Sequence, residues 1–86
     1  LDSFANSVKT DLGVDVMVCK LQDCTGLDET NVNNAIGTAW SDNANVLAGP
    51  DLSGIATDDT YHLKADAKLA SAAALWWTAM SSAFGW

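Results

Sequence analysis

The apolar positions crowd toward the end of the chain. From Leu69 to Trp86 the run LASAAALWWTAMSSAFGW contains no charged side chain. Set on a helix at 100° per residue, Leu69, Ala73, Trp76, Trp77, Met80 and Phe84 share one bulky face, which Trp86 extends. Ala67, Ser71, Ala74, Thr78, Ser82 and Gly85 collect opposite them as a small-residue packing face. A helix that is polar on no side has to be covered by a core, an assembly or a bilayer. Neighbouring Trp76 and Trp77 point about 100° apart, so one of them is expected to meet something outside the monomer. The pattern predicts an apolar C-terminal helix over 61–86, capped by Thr57 or Asp58.

Earlier segments are more conventional. Leu1 to Leu12 reads as a short amphipathic helix with Ser3 as its cap, Phe4, Ala5, Val8 and Leu12 on one face, and Gly13 ending it. In VDVMVCKL, residues 14–21, three valines alternate with Asp15, Met17 and Cys19, which favours a strand. Its only candidate partners are Leu52 to Ala56 or another molecule. A second helix starts near Asp28 and buries Val32, Ala35, Ile36, Ala39 and Trp40, although three asparagines lower its intrinsic propensity. Val46 to Ala48 is a brief apolar stretch that Gly49-Pro50 is expected to break. The expected fold is mainly α, about three helices with at most one short strand near 14–21, in a single small domain over 1–86.

Composition narrows the function. Eleven acidic residues oppose four lysines and no arginine, for a formal charge of -7. No basic patch exists to displace counterions from phosphates, so nucleic acid is excluded as a partner. Beginning at Leu1 rather than Met, the chain reads as a processed, exported product, secreted or extracellular. Cys19 and Cys24 fit a small disulfide loop in such a protein, either with each other or with another chain.

Candidate chemistry is sparse. On a helix Asp59, His62 and Asp66 would stand at i, i+3 and i+7 and form a weak metal site, against the simpler reading that Asp58 and Asp59 serve a helix N-terminus. His62 is the only histidine, so any Ser/His or Cys/His nucleophile system would have to use it. No GxSxG elbow and no Gly-rich phosphate loop is present. The expectation is therefore no enzyme, no catalytic residue and no cofactor. A non-enzymatic subunit that self-assembles through the C-terminal helix, with a second copy or a second subunit as partner, fits these features best. Its layout is similar to that of filament, pilus and coat subunits, without the apolar N-terminal helix of a type IV pilin or the basic C-terminus of a filamentous-phage coat. The alternative partner is a membrane: 18 residues of helix span ~27 Å, close to a ~30 Å hydrocarbon core. That layout resembles the helical bacteriocins and secreted killer toxins.

Overall fold

The computed structural model describes residues 1–86, in the order α1 (Asp2–Leu12), β1 (Val16–Lys20), α2 (Thr30–Asp42), β2 (Val46–Asp51) and α3 (Asp66–Phe84). Half of the chain is helical and 15% lies in strands or bridges, an α/β mixture rather than the expected mainly α fold. The missed element is β2. It pairs in parallel with β1, Val16 against Val46, Met17 against Leu47 and Val18 against Ala48, so that β1, α2 and β2 form a βαβ unit.

Gly49-Pro50 does not break this strand, because the register slips there. Between Val18 and Lys20 lies one residue, whereas their partners Ala48 and Asp51 are separated by two. Such an irregularity on a strand with a free edge is a place where a proline is tolerated. Trp40 of α2 secures the same point, its Nε1 donating to the Val18 carbonyl at 2.8 Å. The Lys20 ammonium sits 5.1 Å from the Trp40 ring centre and 3.7 Å from Asp51. Beyond the strands the pairing resumes once: Asp23 bridges Ala56, with the Asp23 amide donating to the Ile55 carbonyl and the Thr57 amide to the Asp23 carbonyl.

The core is small. Ala5, Ala39 and Val46 form its buried centre, with Val16, Val18 and Trp40 packed around them, and no large side chain is fully enclosed. Helix α1 ends on Gly13 in the left-handed conformation, φ 71, but it starts without a side-chain cap and buries only Ala5. Phe4 and Leu12, expected to face inward, are 61% and 72% exposed. Asn43 and Asn45 instead tie α1 to the α2–β2 connection, through hydrogen bonds to Asp2 and Asn6.

Helix α3 begins at Asp66, not at 61, and rests mainly on β2. No helix of the structure is long and apolar enough to cross a membrane, so the long apolar helix expected over 61–86 is corrected. The cause is local: Asp58 and Asp59 bind backbone amides of residues 61–65 and hold that segment out of the helix. Of the disulfides expected, the one between Cys19 and Cys24 does not form, and both thiols are free within the chain. An extended segment rises about 3.3 Å per residue, so the run from β1 to the Asp23 bridge carries the two cysteines well beyond the ~7 Å Cα separation that a disulfide spans.

Candidate functional site

Residues 57–65 form a loop held by the side chains of Thr57, Asp58 and Asp59. Thr57 is buried and fixes one end against the segment that leaves β1: its Oγ1 accepts the Thr25 amide at 3.0 Å, and the Thr25 hydroxyl donates to the Thr57 carbonyl at 3.3 Å. The Thr57 hydroxyl in turn donates to the Asp59 carbonyl. Gln22 reaches across from the same segment, donating through Nε2 to the Tyr61 carbonyl at 3.0 Å. The loop therefore sits at the carboxyl end of β1, the side of a parallel sheet where α/β proteins place their ligands.

Two neighbouring carboxylates shape it. Asp58 accepts the amides of Lys64 and Ala65 at 2.6 and 2.8 Å and the Lys68 ammonium at 2.9 Å. The Ala65 and Lys64 amides, helped by Lys68, hold its carboxyl down at about 2. Asp59 accepts the amides of Tyr61 and His62 at 2.8 and 2.7 Å, and the Lys64 ammonium lies 3.0 Å from its Oδ2. With the Tyr61 amide as the largest cause, then Lys64 and the His62 amide, the Asp59 carboxyl lies far below the usual carboxylate range and stays ionised.

His62 completes the arrangement. Its Nδ1 lies 3.0 and 3.1 Å from the two oxygens of Asp59. An ionised carboxylate can only accept, so Nδ1 carries a proton and the lone pair of a neutral ring would stand at Nε2. Nε2 takes part in no hydrogen bond within the chain, and the side chain is 69% exposed against 38% for Asp59. A histidine held in one tautomer by a fixed carboxylate is how a general base is prepared for a nucleophile. No hydroxyl or thiol of this chain bonds to it. Cys24 is buried, and burial followed by the nearby Glu29 pushes its thiol up, which opposes thiolate formation.

The metal arc read from the sequence is not formed. Asp66 belongs to the first turn of α3 while Asp59 and His62 lie in the loop, and no three His, Cys, Asp or Glu side chains converge on a metal position. The sequence reading grouped Asp59 with His62 but set both on a helix with Asp66, whereas the structure pairs the two directly in a loop. The legible signal was the Asp-Asp-Thr-Tyr-His run itself, in which an aspartate followed by amides two and three residues on is a turn former.

The predicted assembly face is split. Trp76 and Met80 are half-buried on the inward side of α3, together with Lys68, Ala72, Ala79 and Ser81. Leu69, Ala73, Trp77, Phe84 and Trp86 point outward, with Trp77 58% and Trp86 66% exposed. Their rings gather, Trp86 lying 6.1 Å from Trp77 and 5.3 Å from Phe84 between centroids. All six residues of the small face, Ala67, Ser71, Ala74, Thr78, Ser82 and Gly85, are exposed. A hollow of about 490 Å³ lies elsewhere, between the start of α1 and α2, lined by Leu1, Val32, Ala35, Ile36 and Ala39 with Asp2 and Asn31. It shares no residue with the His62 loop.

No family model, no curated protein and no solved structure matches the chain.

Proposed function

We propose that this chain carries the base half of a nucleophilic, hydrolase-type site, with His62 as general base, Asp59 as the carboxylate that orients it, and the nucleophile supplied by a covering chain or segment. The observation that carries this reading is the Nδ1 contact of His62 with both oxygens of an ionised Asp59, in a loop pinned at the carboxyl end of a parallel strand. Three features support it. The distances fall within the range in which such bases are oriented. The four donors on the Asp59 carboxylate, two amides, an imidazole and an ammonium, saturate an acceptor with about four lone-pair sites. Nε2, the atom that would take a proton, is left open to whatever docks.

The test has a structural and a kinetic arm. Long-range proton–nitrogen NMR should find neutral His62 protonated at Nδ1, with that preference lost in Asp59→Asn. In the assembled protein, hydrolysis of p-nitrophenyl acetate should fall by roughly 10²–10⁴ in His62→Ala and substantially in Asp59→Asn. An Nε2-protonated ring, or a His62→Ala variant as fast as the parent, would end this reading.

A second reading is favoured by the outward side of α3. Self-assembly, or docking of a second subunit, through Leu69, Ala73, Trp77, Phe84 and Trp86 would cover aromatic rings that otherwise stand in water. The two readings are compatible, since a partner that covers α3 could be the one that brings the nucleophile.

A further inference from the structure

The two-stranded sheet has two outer edges, and they are not alike. A parallel ladder bonds alternate residues of a strand to the same neighbour. The Val16 amide donates to the Asn45 carbonyl, and the Val18 carbonyl oxygen stands 2.6 Å from where a Cβ on Gly49 would lie, so Val16 and Val18 turn their backbone toward β2. Across a trans peptide the next amide points the opposite way, so Met17 and Cys19 present N–H and C=O on the far side of β1. Neither residue makes a hydrogen bond outside the ladder. Just beyond, the backbone of Leu21 is already closed: the Asn33 carboxamide accepts its amide at 2.7 Å and donates to its carbonyl at 3.2 Å, the pair of bonds a neighbouring strand would make. The other edge is guarded differently, since Pro50 of β2 has no amide to offer and α3 rests on that strand. We propose that the open edge of β1, at Met17 and Cys19, receives an extended, cationic segment of a second protein as a third strand.

In such strand addition the main-chain bonds give the affinity, and here charge selects the partner. The chain has a formal charge of -7. None of its five ion pairs uses Asp23, Asp28 or Glu29, the acids that follow β1, so this end of the edge is negative and uncompensated. A lysine is a common guard on an open edge, but Lys20, the one lysine of the strand, lies over the Trp40 ring with Asp51 at 3.7 Å. A second copy of this chain is equally acidic and is repelled by the same field, whereas lysines or arginines flanking an incoming strand are attracted to it.

The experiment is amide hydrogen exchange of the intact chain, read residue by residue by NMR and corrected for intrinsic rates. In the dilute chain alone, Met17 and Cys19 should exchange at least roughly tenfold faster than Val16 and Val18, whose amides the ladder holds. The probe is a peptide of alternating threonine and valine with two lysines at each end. At about millimolar peptide, a concentration that fills a weak site, Met17 and Cys19 should slow by roughly tenfold while Val16 changes little. The same peptide with glutamates in place of lysines should give no protection, and ~1 M salt should weaken binding of the lysine peptide severalfold. Met17→Pro removes an amide that is free in the fold, so its far-ultraviolet circular dichroism should match the parent while the peptide binds at least roughly tenfold more weakly. Met17 and Cys19 amides as slow as Val16 in the dilute chain, or unchanged by the lysine peptide, would overturn the proposal. Equal protection by the glutamate peptide would overturn the choice of a cationic partner, and protection that rises with chain concentration alone would give the edge to a second copy instead.

Discussion

Gly49 shows how a single missing side chain decides whether the two strands can meet. A Cβ built at this position would lie 2.6 Å from the Val18 carbonyl oxygen, 2.7 Å from its carbon and 2.9 Å from the Cys19 nitrogen. All three atoms are backbone, so no rotamer change relieves the contact. Gly49→Ala must therefore push β2 away from β1 where the register slips, weakening the Trp40 bond to Val18 as well. Overpacking of this kind costs about 1–3 kcal/mol, and urea denaturation followed by tryptophan fluorescence should show a loss of that size. A variant as stable as the parent would mean that the strands do not approach so closely. The same residue explains a misreading, because Gly-Pro is a breaker by local preference and becomes a strand only where a facing backbone needs the room. His62 was misread for a related reason. Spacing on a helix put Asp59, His62 and Asp66 together, whereas the side-chain oxygens of Asp59 capture amides two and three residues ahead and prevent that helix from forming.

At the scale of elements, what was legible is what short-range chemistry dictates. A helix ended by Gly13, a strand at the valine alternation and a helix around Ile36 and Ala39 are all present. What was not legible is which strand pairs with which, since a parallel partner lies across a helical crossover and leaves no local trace. The start of α3 is likewise set from outside the helix: its first residue, Asp66, follows directly on the Lys64 and Ala65 amides held by Asp58. This makes the start pH-dependent, with a definite sign. The Asp58 carboxyl titrates at about 2 in the folded chain, against about 3.9 for a free aspartate, so its contribution is complete above the unfolded value and fades as pH falls through the folded one. Amide hydrogen exchange of Lys64 and Ala65, corrected for intrinsic rates, should lose protection between about pH 4 and 2. Asp58→Asn should show the weaker protection already at pH 6. Protection that is flat across this window would remove Asp58 as the anchor of α3.

The whole molecule is more open than its length requires. Its radius of gyration is 13.9 Å, where a compact domain of 86 residues has about 12 Å. Its accessible surface is 5347 Å², against roughly 4,900 Å² for a compact protein of the same mass. A parallel sheet is seldom only two strands wide, so two open strand edges add to the outward side of α3. Magnitudes say what kind of cover suffices. Leu69, Leu75, Trp77, Phe84 and Trp86 are each between 39% and 66% exposed, so burying what remains of them is worth about 1 kcal/mol apiece. With both copies contributing, some 10 kcal/mol stands against about 4–15 kcal/mol that association costs in lost translation and rotation, so α3 meeting a second α3 nets about 6 kcal/mol at most, a Kd of tens of micromolar or weaker. Light scattering should accordingly find the isolated chain monomeric at a few micromolar and self-associating only at high concentration. Trp77→Ser with Phe84→Ser and Trp86→Ser should abolish that association with little change in the far-ultraviolet circular dichroism, because half or more of each side chain is exposed in the fold. Tight, saturable self-association that survives the triple substitution would place the contact elsewhere, on the hollow between α1 and α2 or on the open strand edges. Absence of self-association at high concentration would remove α3 as a self-association face.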